Sequence, residues 1–199
     1  MTAYEVRDSR VAHEGRRIRV RLDEIVLPDG STITREIVER ENSVAVVALD
    51  DRRQIVLVHH YRQPVGGLLW ELPAGLCDEE GEPPEQTARR ELAEETGVRA
   101  EAWSTLVDLH LSPGVSTEAA RVYLAEDLTI GPRAGEAHGE EAFLTTRWLP
   151  LEEAETWVLD GRITNALAVG GILAAARYVR AGTHPPRPAD APWPQPEKP

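Results

Sequence analysis

The sequence predicts an α/β protein in which a mixed sheet lies between helical layers. Residues 43–49 (SVAVVAL) form a continuous apolar run, which is typical of a strand that is buried on both faces. Helical patterns cover residues 85–96, 151–159 and 165–180, and strand-like runs come before and between the first two of them. A sheet covered by helices on both sides buries all of these apolar faces.

The N-terminal region, residues 4–40, is predicted to consist of strands. Apolar and polar side chains alternate within residues 11–27, Pro-Asp-Gly at 28–30 is a turn signal, and residues 31–39 have a second strand pattern. The two runs together predict a hairpin. A piece of this size is too small to be stable alone, so we expect it to pack on the rest of the chain or on another subunit.

The remainder of the chain alternates strand patterns with turns and the predicted helices. We expect strands at residues 54–61, 69–72, within 100–111, at 119–125 and at 143–149. Residues 131–139 are predicted to be a flexible connection. The proline-rich residues 183–199 predict a tail that is either disordered or extended along the surface, with Trp193 as an anchor. These patterns divide the chain into an N-terminal strand region (1–40), a main domain (41–182) and this tail.

The composition argues against several classes of protein. A formal net charge of −12 over 199 residues argues against binding nucleic acid or an anionic membrane, and suits a protein that attracts a cation first. Cys77 is the single cysteine, so no intrachain disulfide can form, which favours the cytoplasm. The N-terminal residues lack the apolar core of a signal peptide, and the longest apolar run, 166–176, is too short to span a bilayer.

The helix predicted at residues 85–96 carries a cluster of acids. Glu91 and Glu95 are four residues apart and lie on one helix face, Glu94 is beside them, and Glu82 comes shortly before the helix. Stacked carboxylates repel unless something neutralises them, and Mg²⁺ prefers such oxygen ligands. The alternative is a solvated acidic helix face with no ligand.

The spacing of these residues is more specific than their charge. From Glu82 the sequence follows the pattern E-x7-R-E-L-x-E-E-x-G-V, which ends at Val98. This pattern resembles the Nudix box, G-x5-E-x7-R-E-U-x-E-E-x-G-U, where U is a bulky aliphatic residue. Every specified position from Glu82 onward matches, whereas Gly75 precedes Glu82 by seven positions instead of six. The loop before the helix is therefore one residue longer than in the pattern.

The resemblance extends to the ADP-ribose pyrophosphatase branch of the Nudix family, over roughly residues 18–180. The sequence WELPAG at 70–75 leads into the box, Pro113 falls sixteen positions after Gly97, and SPGVSTE at 112–118 is similar to a segment of that branch. This resemblance implies an α/β/α sandwich. It also implies a homodimer in which the N-terminal strands are exchanged with the partner or packed on it, although packing within one chain is the alternative.

By this resemblance the protein hydrolyses the pyrophosphate bond of ADP-ribose to AMP and ribose 5-phosphate, with two or more Mg²⁺ or Mn²⁺ ions. The implied metal ligands are Glu91, Glu95, the backbone carbonyl of Ala74, Glu94 and Glu82. Arg90 is expected to pair with a box carboxylate and hold the loop, or else to be an ordinary surface arginine.

The resemblance places the general base on a loop after the box, at residues 135–142. We expect Glu140 to be the base, with Glu141 as the second choice. The residues expected to bind substrate are Arg62, Arg35 from across a dimer, Pro113 and Glu118, the last through a metal ion or a ribose. Two rival hypotheses stay open: a Nudix pyrophosphatase acting on another nucleoside diphosphate sugar or nucleotide, and a non-catalytic sensor.

Overall fold

The computed structural model describes residues 4–135, 142–181 and 186–193. Its N-terminal strands are β1 (Glu5–Glu14), β2 (Arg19–Val26) and β3 (Thr32–Glu39), which form an antiparallel sheet in the order β1-β2-β3. The hairpin predicted around residues 28–30 is therefore confirmed as β2–β3. The reading of 11–27 as one run was wrong, because a turn closed by a hydrogen bond from Gly15 N–H to the Ile18 carbonyl separates β1 from β2.

The remaining strands form two sheets and are joined by three helices within the described residues. The strands are β4 (Ser43–Ala48), β5 (Gln54–Arg62), β6 (Gly67–Glu71), β7 (Ala74–Leu76), β8 (Val98–His110), β9 (Ala119–Ile130), β10 (Thr145–Pro150) and β11 (Arg187–Pro188). The helices are α1 (Pro84–Thr96), α2 (Leu151–Leu159) and α3 (Ala166–Ala181). One sheet has the order β11-β8-β9-β4-β7 and the other has the order β10-β5-β6. The first sheet is mixed, because β4 and β9 are parallel whereas its other pairs are antiparallel.

Strand β4 shows how the layers are arranged. Its side chains alternate between two buried clusters: Ala45 and Val47 pack with residues of α2 and α3, whereas Val44 and Val46 pack with Leu92 of α1. Helices therefore cover both faces of the sheet, and the α/β/α arrangement is confirmed. No helix among the described residues is long and apolar enough to cross a membrane.

Helix α1 ends as its sequence predicts. Gly97 adopts a left-handed φ of 75°, and its N–H donates to the Ala93 carbonyl at 3.0 Å. A Cβ at Gly97 would also overlap the Gly131 carbonyl oxygen. The chain after β9 packs against this helix end, with the Ala134 N–H donating to the same Ala93 carbonyl at 2.9 Å. The predicted connection at 131–139 is thus fixed to α1 at its start.

The described part of the tail lies extended along the surface, which confirms the second of the two options for that segment. β11 pairs with β8, and the guanidinium of Arg121 lies 4.5 Å from the ring centroid of Trp193. Arg121 is buried and forms two hydrogen bonds with Asp108, while its other donors bind the carbonyls of Ala191 and Pro192. Trp193 is the anchor that the sequence suggested.

Candidate active site

The short stretch from Trp70 to Gly75 joins the two sheets, and its first two side chains point to opposite faces. Trp70 stacks on His59, with ring centroids 4.2 Å apart, and packs against the core beneath α2 and α3. Glu71 is buried and forms a bidentate ion pair with Arg62, at 2.9 Å from Nε to Oε1 and 2.7 Å from Nη2 to Oε2. Successive side chains of a strand point to opposite faces, so Trp70 faces the core and Glu71 faces the other side of the sheet.

The next two residues of this stretch contact the acidic helix. The Ala74 N–H donates to Oε2 of Glu95 at 3.0 Å, and Glu95 is buried. The carboxylate of Glu91 lies so close to Gly75 that a Cβ there would overlap it. Glu95 and Glu91 thus meet two consecutive residues of β7, Ala74 and Gly75 respectively, which confirms that they share one helix face.

Arg90 forms hydrogen bonds with three acids of the box, two on the helix and one just before it. Its guanidinium donates to Glu82 at 3.3 and 3.2 Å, to Glu91 at 2.8 Å and to Glu94 at 3.4 Å. Thr87 adds a hydroxyl hydrogen bond to Oε2 of Glu82 at 2.8 Å. The predicted pairing of Arg90 with a box carboxylate is therefore confirmed, and the arginine pairs with three of them.

These contacts set the charges at the helix. The hydrogen bond from Arg90 lowers the pKa of Glu82, and this effect together with the Thr87 hydroxyl exceeds the opposing effect of desolvation. Desolvation by itself would lower the pKa of Arg90, but the hydrogen bonds and charges of Glu82 and Glu91 raise it above its usual value. Arg90 and Glu82 therefore stay ionised at neutral pH.

The donor set fits a magnesium ion. No three His, Cys, Asp or Glu side chains within residues 4–135, 142–181 and 186–193 form a ready-made metal cluster. Mg²⁺ does not need such a cage, because proteins usually hold it with one or two carboxylates while water and substrate phosphates complete the shell. Glu91 and Glu95 supply two carboxylates against one backbone segment, and Arg90 gathers Glu82 and Glu94 beside them.

The segment 112–118 lies at the same end of the sheet as the box loop. Glu118 is buried; its Oε1 accepts a hydrogen bond from the Ser43 hydroxyl at 3.1 Å, and its Oε2 pairs with Arg40 at 3.2 Å. Asn42 accepts a hydrogen bond from the Cys77 N–H with its backbone oxygen and one from the Ala119 N–H with its side chain. Residues 40–43, which include the linker after β3 and the first residue of β4, thus join this segment to the box loop.

This geometry can be compared with known proteins. A NUDIX domain model matches residues 39–167 of the chain.

The chain belongs to the Nudix family.

The ADP-ribose pyrophosphatase of Mycobacterium tuberculosis is 47% identical over 190 residues, which cover 96% of this chain and 91% of that protein. The methanol dehydrogenase activator of Bacillus methanolicus is 37% identical over 155 residues, which cover 78% of this chain and 83% of that protein. A crystal structure of ADP compounds hydrolase superposes with a TM-score of 0.79 at 19% identity, covering 92% of this chain and 97% of that one, so the two share a fold. The resemblance found in the sequence is confirmed, and the protein is a Nudix hydrolase.

The structure brings only some of the predicted Nudix site residues together. Arg35 is exposed on β3, and Pro113 is exposed in the turn before β9. Glu140 and Glu141 lie outside the described residues. The predicted roles of these four residues, like those of the other predicted site residues, stay predictions.

The sequence did not reveal the residues that form hydrogen bonds or ion pairs with the predicted site residues. Glu71 holds Arg62, Thr87 holds Glu82, and Ser43 and Arg40 hold Glu118. Only Glu71 gave a usable signal, since it is the one charged residue in the strand predicted at 69–72 and a buried carboxylate needs a cationic partner. The other three are ordinary polar residues at the start of a strand, in a linker or in a helix.

Proposed function

We propose that this Nudix hydrolase cleaves the pyrophosphate bond of ADP-ribose and releases AMP and ribose 5-phosphate. The observation that carries the proposal is the convergence of Glu91 and Glu95 on the Ala74–Gly75 backbone, directly after β6, whose Glu71 is ion-paired with Arg62 of β5. The relative from M. tuberculosis, which matches nearly the whole chain, supports ADP-ribose as the substrate.

Divalent ions, Mg²⁺ or Mn²⁺ and two or more in number, would neutralise the phosphate oxygens and lower the pKa of the attacking water. The residues that would hold them are Glu91, Glu95, Glu94, Glu82 and the carbonyl of Ala74. Arg90 keeps the side chains of three of these acids together, which preorganises the donor set. The Ala74 N–H fixes the orientation of Glu95.

The substrate would be held by residues from several segments. Arg62 offers a planar fork to a phosphate, and Glu118, held by two partners, would contact the ribose or an ion. Pro113 would shape the turn beside the substrate. Glu140, or Glu141 as the second choice, would take the proton from the attacking water.

We also propose a homodimer formed through the N-terminal sheet, with Arg35 reaching the partner's site. Every residue of β1 is exposed, and the exposed apolar side chains of this region include Val6 and Val11. An exposed edge strand with apolar side chains is a surface that pairs with another chain. Val6→Lys with Val11→Lys should give a monomer by light scattering, whereas Val65→Lys, at an apolar residue exposed elsewhere, should stay dimeric. A monomeric wild type would contradict this proposal.

The substrate is tested by a panel of ADP-ribose, ADP-glucose, GDP-mannose and NADH with Mg²⁺ and with Mn²⁺, with the products identified by chromatography. We expect AMP from ADP-ribose at the highest kcat/KM. A higher kcat/KM for another nucleotide would transfer the proposal to that substrate. The single cysteine suits a reducing compartment, and we place the activity in the cytoplasm.

The catalytic reading is tested by two substitutions. Glu95→Gln should abolish most metal-dependent turnover, and unchanged turnover would contradict the catalytic role of the box. A wild type that hydrolyses no nucleotide of the panel would favour the non-catalytic sensor. Glu140→Gln should lower kcat far more than it changes KM, because a general base acts on the chemical step. A wild-type kcat would move the assignment to Glu141.

A further inference from the structure

Glu71 lies outside the Nudix box, at the end of β6 and three residues before Ala74. Its carboxylate is buried and binds the Nε and Nη2 edge of Arg62 through two parallel hydrogen bonds. Two parallel bonds from a planar fork fix the orientation of the guanidinium as well as its position. A single contact would leave the plane of the arginine free to rotate.

The pair lies on the face of the sheet that is turned towards α1. Side chains two residues apart on a strand share a face, so Arg62 lies on the same face of β5 as Val56. Val56 packs in the cluster that contains Leu92 of α1, and Glu71 is the register partner of a residue on that same face. Arg62 and Glu71 therefore face the helix that carries Glu91 and Glu95.

Glu71 and Ala74 are parts of one short backbone segment. Glu71 fixes Arg62, and three residues later the Ala74 N–H fixes Glu95. The relative position of the arginine and of the carboxylate is thus set by a few backbone bonds, with no flexible loop between them.

We propose that Glu71 is a positioning residue, which holds the Arg62 guanidinium in the orientation that receives a substrate phosphate. This inference rests on the proposed function, in which Arg62 binds the pyrophosphate. Arginine has many rotamers, and an arginine that is already ordered loses less entropy when the ligand binds. Glu71 therefore acts on substrate affinity through Arg62 and does not touch the substrate itself.

The test compares Glu71→Gln, Arg62→Ala and the double variant. KM and kcat are measured for ADP-ribose with Mg²⁺, and the Kd of ADP-ribose is measured by calorimetry in EDTA, where no hydrolysis interferes. Glu71→Gln should raise KM and Kd about tenfold, the effect of one charge-assisted hydrogen bond, and should change kcat much less. The double variant should match Arg62→Ala, because the two residues act as one unit.

The matched control is Asp108→Asn, which neutralises another buried carboxylate with a bidentate arginine, Arg121, at the tail. It should lower Tm and leave KM and Kd unchanged. If Glu71→Gln does not fold, Glu71→Asp replaces it in the test. Aspartate keeps the negative charge, but its side chain is one methylene shorter, so the carboxylate lies farther from Arg62. This variant should give an intermediate KM.

The inference is wrong if Arg62→Ala weakens binding while folded Glu71 variants have the KM and Kd of the wild type. It is also wrong if Arg62→Ala itself binds ADP-ribose like the wild type. Failure of the wild type to release AMP from ADP-ribose would instead contradict the proposed function. The same variants would then be compared on whichever panel nucleotide is hydrolysed, and an unchanged KM in Glu71→Gln would overturn the inference there.

Discussion

Replacement of Gly75 by alanine should displace the Glu91 carboxylate while leaving that carboxylate chemically unchanged. Gly75 has no left-handed φ, so backbone strain does not explain why a glycine stands there. A Cβ at this position would overlap the carboxylate of Glu91 and would lie 2.5 Å from its Cγ. Non-bonded carbons approach to about 3.5 Å, so the Glu91 side chain must move by about 1 Å.

A displacement of this size affects catalysis much more than stability. Misplacing a catalytic group by about 1 Å costs on the order of 100-fold in rate, which equals about 2.7 kcal/mol of activation free energy. The moved side chain loses about 1 kcal/mol in rotamer energy, and alanine regains a similar amount by restricting the unfolded chain. The free energy of unfolding should therefore stay within about 1 kcal/mol of the wild-type value.

The assay is kcat with saturating ADP-ribose at a series of Mg²⁺ concentrations, together with urea denaturation. Gly75→Ala should lose about 100-fold in kcat and require more Mg²⁺. Gly67→Ala is the matched control, because no atom lies within 4 Å of a Cβ there and its activity should be unchanged. The reasoning is refuted if Gly75→Ala, folded as the wild type is, retains a kcat within about threefold of it.

Three further substitutions test the contacts that support the fold and the site. Trp193→Ala removes the ring that stacks on Arg121, and urea denaturation should show a loss of about 1–2 kcal/mol with kcat unchanged. Asp108→Asn leaves the buried Arg121 without its anionic partner and should cost about 3–5 kcal/mol at pH 7. Thr87→Ala removes the hydroxyl that holds Glu82 and should weaken Mg²⁺ activation about tenfold, whereas Thr87→Ser should not.

The Asp108 prediction has a pH dependence with a definite sign. Burial by itself would raise the pKa of Asp108, but hydrogen bonds from Arg121 and Arg187 outweigh burial and leave the pKa below its usual value. The stabilisation is therefore complete above about pH 4 and is lost as the pH falls through the folded-state pKa. The difference in free energy of unfolding between wild type and Asp108→Asn should shrink on acidification below pH 4, and a constant difference would contradict this account.

The sequence predicted those parts of the fold that depend on local pattern. The box helix, its stop at Gly97, the β2–β3 hairpin and the buried β4 each follow from a periodicity or from a turn residue within a short window. The turn at Gly15 was missed, because the alternation on its two sides reads as one continuous run. The sequence also placed the end of β9 too early. The residues after 125 are only half-buried or exposed, so the apolar run ends there, although they remain paired with β8.

The sequence by itself determined that this chain is a Nudix protein with four acids and an arginine at box spacing, because that information lies in covalent order. Only the tertiary structure decided what those residues touch. Glu95 meets a backbone N–H that is 21 residues away, and Ser43 meets Glu118 across 75 residues. Such contacts have no period along the chain, because they arise where packed sheets bring distant strand ends together. The same packing made Glu71, an acid at the end of β6, the partner of Arg62.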